Sequence, residues 1–193
     1  MKDNGKFLYC YKMTHDTGFA PNPYHGILTL ATCKPTIRRC AQEGYWISGW
    51  TSNTVQGKNQ KFNLKGEPQK LIYLALVSKK HSIADYWVKY PQKRSKGLTD
   101  SGDNIYEPLA DGGFKQHDNG GGHGPDNKEH DLSGLSVLVC EEFYYFGVEN
   151  ALPVDKDFVV PRCKKIPLDD DRALGIINYV KNHFKPGINS VPL

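Results

Sequence analysis

LIYLALV, residues 71–77, is the most apolar run of the chain. An uninterrupted apolar run of this length is typical of a central β-strand that is buried on both faces. Four further runs are rich in aromatic and β-branched residues, FLYCY (7–11), ILTL (27–30), YWISGW (45–50) and LSVLVC (135–140). Such residues favour strands, so these runs predict a sheet built around the central strand.

Helix signals are short until the C-terminus. Pro35 predicts the first turn of a short helix that Gly44 ends, and Ser82 predicts the N-cap of another. Near the C-terminus, three aspartates precede apolar residues that recur on one face, which predicts a helix over about residues 169–185. The polar residues 52–69 show no periodicity and predict an irregular excursion.

The chain shows no internal repeat and no compositional boundary. We therefore expect one domain over residues 1–193, of the α+β class, with a small mixed, mostly antiparallel and twisted sheet, short flanking helices and a C-terminal helix.

Composition narrows the class of protein. The chain has 193 residues, 38% of them hydrophobic, and a net charge of +4, which permits an anionic partner such as a nucleotide or nucleic acid. No apolar run approaches the roughly 18 residues that a membrane span needs. The five cysteines have no tight spacing, and the first residues show no signal-peptide core. We expect a cytoplasmic protein with free thiols, and the sequence makes no prediction of the oligomeric state.

A polar loop, THDTGFAPNP at residues 14–23, separates the first two predicted strands. His15, Asp16 and Asn22 offer the donors and acceptors that read the edge of a base, and Phe19 offers a ring for stacking. His15 and Asp16 would equally suit a catalytic base and the group that orients it. The alternative is a rigid connection between strands whose polar groups satisfy their own backbone.

Basic residues follow this loop. Lys34 and Arg38, spaced i and i+4, lie on one face of the predicted helix, and with Arg39 they suit a phosphate. A solvated helix face is the alternative. A second basic cluster consists of Lys93, Arg94 and Lys96, and we expect it to be solvated.

Residues 89–134 form a long segment without a packing pattern, which is typical of a functional or disordered loop. Asp103, Asn104 and Tyr106 could form the opposite wall of the pocket that begins at His15, or a simple β-turn. Whether a ligand orders the part rich in glycine and histidine, residues 110–134, stays open.

Other chemistry has weaker signals. Four polar residues that can bind a metal fall within a short stretch, His117, Asp118, His123 and His130, but no spacing such as CxxC or HExxH is present. No phosphate-binding or dinucleotide-binding glycine loop is present either. We therefore expect no metal and no cofactor. Cys33 and Cys40 are conceivable nucleophiles, with Lys34 nearby, but buried inert thiols are the favoured interpretation.

The order of elements, together with EGYWISG at residues 43–49, resembles small PUA-like and EVE-like barrels. Those barrels bind a base in a cleft, so the resemblance implies a PUA-like β-barrel as the alternative form of the sheet. Tyr45 stands where an Asp is common in those domains.

Whole phrases carry a closer resemblance. THDTGFAPNPYHG (14–26), CKPTIRR (33–39), GYWISG (44–49), GDNIYEP (102–108) and FYYFG (143–147) look like the second type of nucleotide-modification-associated domain, over residues 7 to 153. That prokaryotic and phage family is linked by genomic context to systems that modify bases in DNA.

Two functions follow from these patterns, besides a plain interaction subunit. The favoured one is a module that binds a modified base or nucleotide, free or in nucleic acid. The alternative is an enzyme that acts on a nucleotide or base, with His15 and Asp16 as acid and base.

Overall fold

A computed structural model describes residues 5–95, 102–120, 122–154, 160 and 163–190. The strands are β1 (Phe7–Asp16), β2 (Leu28–Leu30), β3 (Trp46–Gly57), β4 (Lys61–Asn63), β5 (Lys70–Leu76), β6 (Lys79–Ser82), β7 (Tyr106–Pro108), β8 (Phe114–Gln116), β9 (Ser136–Cys140), β10 (Glu142–Tyr145), β11 (Leu152–Pro153), β12 (Cys163–Pro167) and β13 (Gly187–Ile188). The helices are α1 (Pro35–Cys40), α2 (Ile83–Lys89), α3 (Lys128–Leu132) and α4 (Asp171–His183), with short 3-10 turns at Pro91–Lys93 and Pro125–Asn127.

The main sheet has the strand order β12-β1-β3-β5-β10-β13, with β4 on β3 and β11 on β5. Most of its pairs are antiparallel, whereas β1–β3 and β10–β13 are parallel. A second sheet has the order β2-β9-β6, and β7 pairs with β8. The predicted α+β class with a mixed, mostly antiparallel sheet is confirmed. Among the described residues the strands form open sheets and no closed barrel.

The central strand lies where LIYLALV predicts it. β5 is hydrogen-bonded to β3 on one side and β10 on the other, and its two faces belong to different cores. Ile72, Tyr73 and Ala75 face the core shared with the second sheet, while Leu71 and Leu74 face the core that α4 covers. Tyr73, Leu74 and Ala75 alternate between the two cores as side chains along a strand do, whereas Ile72 shares the core of Tyr73 because the register with β3 shifts between Gly49 and Trp50.

The predicted caps are present. The Ser82 hydroxyl accepts the Asp85 N–H at 3.0 Å and begins α2. α4 begins after Asp170, whose carboxylate accepts the Arg172 N–H at 2.9 Å, and it buries Ala173, Ile177 and Val180. Helix α1 is shorter than predicted, because it ends at Cys40 rather than at Gly44.

Two polar segments are more regular than the sequence predicts. Residues Thr14, His15 and Asp16 extend β1 instead of opening the loop, because they pair with the end of β3. Residues 52–63 form the end of β3 and the β4 hairpin, not an irregular excursion. No helix of the described residues is long and apolar enough to cross a membrane.

Candidate active site around Cys33

Three side chains from separate parts of the chain form a continuous hydrogen-bonded chain. Cys33 Sγ lies 3.1 Å from His123 Nε2, and His123 Nδ1 lies 2.5 Å from Asp131 Oδ2. The carboxylate fixes the tautomer with the proton on Nδ1, which leaves Nε2 to accept the proton of the thiol. A nucleophile, a base and a group that orients the base within hydrogen-bond reach are the signature of covalent catalysis.

Cys33 is held in a strained backbone. It follows β2 and precedes α1, with φ 55°, and Lys34 follows with φ 40°. Both residues lie in the left-handed region, which costs a side-chain-bearing residue about 1–2 kcal/mol. Two consecutive residues of this kind persist only where the surroundings hold them, and such strain is concentrated at functional sites.

Asp131 anchors both partners. Its side chain is fully buried, Oδ1 accepts the Cys33 N–H at 2.8 Å, and Oδ2 also accepts the Tyr106 hydroxyl at 2.9 Å. Burial by itself would raise the pKa of Asp131, but the hydrogen bonds from His123, the Cys33 amide and Tyr106 lower it below its ordinary value. Asp131 is therefore a charged partner for the imidazole.

His123 has a strong affinity for a second proton. Burial works against the charged ring, but the hydrogen bonds to Asp131 and Cys33 outweigh it and raise the pKa of His123 to about 9. Asn119 fixes the backbone at this point, since its Oδ1 accepts the His123 N–H at 2.9 Å and its Nδ2 donates to the His123 carbonyl at 2.7 Å. The ring of Phe19 packs against the imidazole with 5.2 Å between ring centroids.

Arg38 connects Cys33 and Asp131 through hydrogen bonds to their carbonyls. Its side chain is completely buried and donates to the carbonyls of Cys33 at 2.8 Å, of Ser136 at 2.9 Å and of Asp131. A Cβ at Gly134 would lie less than 3 Å from the guanidinium, so only glycine leaves room for it. Burial lowers the pKa of Arg38 to about 10, which keeps it charged at neutral pH.

The same three side chains are the one group of potential metal ligands among the described residues, with ligand atoms within 4.8 Å of one another. A metal bound by a histidine uses one ring nitrogen. Here Nε2 faces the thiol and Nδ1 faces the carboxylate, on opposite edges of the ring. An ion could join all three only if the ring turned, so the arrangement suits proton transfer better than metal binding.

The thiol opens into a cleft of about 320 Å³. Its walls include His15, Thr17, Phe19, Cys33, His123 and Asn127. The loop after β1 and the segment before α3 therefore face each other across the nucleophile. Gly122 is close to Phe19, since a Cβ there would lie 2.9 Å from the ring.

Two of the residues predicted from the first loop, His15 and Phe19, line this cleft, and the other two point elsewhere. Asp16 is buried, and its carboxylate accepts the Tyr145 hydroxyl and the Val148 N–H, the latter at 2.6 Å. Burial raises the pKa of Asp16. Asn22 donates to the Gly18 carbonyl at 3.0 Å and accepts from Lys93 Nζ at 2.7 Å.

The predicted basic groups are also distributed differently. Arg38 is internal, Arg39 donates to the Ser133 carbonyl at 2.5 Å, and Lys34 places its ammonium 4.8 Å from the centre of the Tyr11 ring. Lys93 was expected to be solvated and that expectation is wrong, because it is fully buried and donates to three oxygens of Asn22 and Ile27. Lys96 lies outside the described residues.

Asp103 and Asn104, which were predicted to form the opposite wall of the pocket, are also buried. Asp103 accepts the Thr29 hydroxyl at 2.6 Å and the Tyr86 hydroxyl at 2.7 Å, and Asn104 donates to the Tyr86 carbonyl at 3.0 Å. Tyr106 does not line the cleft, but its buried hydroxyl donates a hydrogen bond to Asp131 Oδ2. The sequence favoured buried, inert thiols at Cys33 and Cys40, and that is wrong, because Cys33 is half-buried and Cys40 is exposed. The sequence indicated His123 only as a metal ligand, and no pattern in it indicates Asp131.

Comparison with known proteins gives one result. A family profile described as nucleotide modification associated domain 2 matches residues 6–172. No match was found among curated proteins or among solved structures.

Proposed function

Because the chain belongs to the family of nucleotide modification associated domain 2, we propose that it is an enzyme that modifies a nucleotide or a nucleobase, with Cys33 as its nucleophile. The observation that carries the proposal is the continuous chain of hydrogen bonds from Cys33 through His123 to Asp131. Family membership supports a nucleotide or nucleobase as the substrate, and the triad supports a group transfer through a covalent intermediate as the reaction.

The proposed steps use only these side chains and the substrate. His123 Nε2 holds the proton drawn from the thiol, because its pKa of about 9 favours the charged ring, while Cys33 Sγ forms a bond to an electrophilic carbon. The bond from that carbon to its leaving group breaks, and the imidazolium gives its proton to the leaving atom. His123 then takes a proton from an incoming water or amine, which attacks the same carbon, and Cys33 departs with that proton as a thiol.

Size and lining of the cleft fit a single base or nucleoside. Its volume of about 320 Å³ lies at the lower end of the range for ligand pockets. His15 and Asn127 supply polar groups at the rim, and Phe19 supplies an aromatic wall. These contacts support the binding of a base in the cleft. We include a modified base among the proposed ligands.

The sequence favoured a binding module with a cleft built from residues 15–22, 34–39 and 103–106, of which His15 and Phe19 line the present cleft, and such a module would bind its base there. It differs from the enzyme only in whether the bound base is converted. Five free cysteines suit the reducing cytoplasm, which we propose as the location, because an active thiol stays reduced there.

The test uses a Cys40→Ser, Cys163→Ser background, because these two cysteines are exposed while Cys10 and Cys140 are buried. Nucleoside monophosphates and triphosphates and short oligonucleotides with normal or modified bases are incubated with this protein. Mass spectrometry then follows both the substrates and the intact protein. We expect product from at least one class of substrate and a transient adduct on Cys33.

Cys33→Ser and His123→Gln should each abolish product while binding persists. The parent protein carries Cys40→Ser and Cys163→Ser and retains Cys33, so it is the matched control for these variants. Full turnover by Cys33→Ser would overturn the proposal. Binding by the parent protein without any product would establish the binding module instead.

A further inference from the structure

The β3–β4 hairpin carries an uncompensated row of positive charge. Lys58, Lys61 and Lys65 are all exposed, and residues 57–66 contain no aspartate or glutamate. None of these three lysines forms an ion pair with a described acidic residue. Like charges repel, so such a row costs stability unless an anion binds there.

The hairpin is held in place by its other face. Val55 pairs with Phe62 across the two strands, and the Leu64 N–H donates to the Asn53 carbonyl at 2.8 Å. Phe62 and Leu64 pack against the core shared by the two sheets. Side chains alternate along a strand, so Lys61 and Asn63 share the opposite, solvent-facing side, and Lys58 and Lys65 are exposed just before and just after β4.

Strand register places this row beside the cleft. Gln56 of β3 pairs with His15 of β1 on one side and with Lys61 of β4 on the other. Two strand spacings, roughly 10 Å, therefore separate the backbone of Lys61 from that of His15. A stacked nucleic-acid strand covers this distance with about three nucleotides, at roughly 3.4 Å each.

We propose that the β3–β4 hairpin binds the phosphate backbone of a nucleic-acid strand whose base enters the cleft. The substrate is then a base within a polymer rather than a free nucleotide. Amide side chains at Asn59, Gln60 and Asn63 accompany the lysines on the exposed part of the hairpin and add donors for phosphate oxygens. This inference rests on the proposed function, because it names the substrate of the same cleft.

Salt dependence of binding provides the test. A fluorescein-labelled 15-nucleotide single strand is titrated with the Cys33→Ser protein between 50 and 200 mM NaCl, and its anisotropy gives Kd. Each neutralised phosphate of a single strand contributes about 0.7 to the slope of log K against log salt. Changing Lys58, Lys61 and Lys65 together to Gln should lower that slope by about 2 and weaken binding at least about tenfold at 100 mM salt.

The matched control removes three exposed lysines from other elements, Lys79, Lys115 and Lys185, by the same change to Gln. It alters net charge equally and should shift the slope by less than half as much. Circular dichroism and Tm verify that both triple variants fold. The same slope in the hairpin variant and the parent protein, or no binding of the oligonucleotide by the parent protein, would overturn the inference.

The two proposals fail in different ways. Normal oligonucleotide binding by the hairpin variant would leave the Cys33 proposal untouched, because the same three Lys→Gln changes in the protein that retains Cys33 should leave alkylation of that thiol as in the parent. Loss of the Cys33 chemistry leaves binding by the hairpin measurable, since the binding assay uses a protein without that thiol. If a free nucleotide were converted at the same rate as an oligonucleotide, the inference that the substrate is a polymer would be wrong, while the proposed role of Cys33 would stand.

Discussion

Replacing Asp131 by Asn removes one charge from the triad and leaves the shape of the side chain nearly unchanged. An Asn Oδ1 can still accept the Cys33 N–H, which the carboxylate accepts at 2.8 Å. The amide nitrogen then faces His123 Nδ1, where the carboxylate oxygen lies at 2.5 Å. Because an amide nitrogen can only donate, the imidazole must carry its proton on Nε2, which then cannot accept the thiol proton.

The size of the effect follows from the pKa of His123, which rises from 6.5 to about 9 in the folded protein. One pKa unit corresponds to about 1.4 kcal/mol, so the surroundings favour the charged ring by roughly 3 kcal/mol. Asp131 and Cys33 share this effect. If the carboxylate supplies half of it, Asp131→Asn lowers the proton affinity of His123 by about tenfold, and the ring draws the proton of Cys33 more weakly.

The rate of Cys33 alkylation by iodoacetamide reports how strongly His123 draws the proton of the thiol. The rate constant is obtained by mass spectrometry from pH 5.5 to 10 in the Cys40→Ser, Cys163→Ser background. We expect Asp131→Asn to react about ten times more slowly at pH 7 and to approach the parent rate at high pH. Tyr106→Phe is the control, because it removes the other hydrogen bond to Oδ2 and keeps the charge. Equal rates for Asp131→Asn and the parent at pH 7, with both proteins folded, would refute the roles given to His123 and Asp131.

Three further outcomes test the fold around the site. Arg38→Met removes the guanidinium donor from the carbonyls of Cys33, Ser136 and Asp131, of which the last keeps the Gly134 N–H, and should lower the free energy of unfolding by about 3–6 kcal/mol in urea; a loss under about 1 kcal/mol would contradict its role. Because the pKa of His123 is raised in the folded state, its contribution is complete below pH 6.5 and disappears as the pH rises through about 9. Denaturant melts should therefore lose about 1–2 kcal/mol over that interval, after allowance for the partly open position of the ring, and His123→Gln should remove this slope. Gly49→Ala puts a Cβ within 3 Å of Met13 and the Tyr73 ring and should cost about 1–3 kcal/mol, whereas Gly175→Ala in α4 meets open space and should stabilise by up to about 1 kcal/mol.

Local patterns predicted those parts of the fold that local physics decides. LIYLALV predicts a strand buried on both faces, and Ser82 and the aspartates before α4 predict helix starts, because capping depends on residues three or four positions apart. Local patterns did not predict the hairpin at residues 52–63. Its strands gain stability from pairing with β1 and from burial of Phe62, and neither contact is visible in the composition of the segment.

The candidate site was predicted in part. His15 and Phe19 line the cleft as the first loop suggested, but Cys33 is separated from His123 and Asp131 by about 90 residues of sequence, and no spacing rule connects them. In the sequence His123 stands among neighbouring histidines, whereas in the fold its partner is Cys33, which follows β2. A signal was present in CKPTIRR, where Cys33 precedes a helix, but the left-handed backbone that exposes the thiol appears only in the fold.

The basic residues show most clearly why a polar pattern misleads without a fold. Arg38 and Lys93 would each satisfy a phosphate, yet both are buried and each donates to backbone carbonyls. A buried cation without partners would be far more costly than an exposed one, so their hydrogen bonds are a structural requirement that excludes a second role for the same donors. Positive charge that an anionic substrate can reach must therefore come from exposed residues. The β3–β4 hairpin has such charge next to His15, in a segment whose polar composition had suggested only a loop.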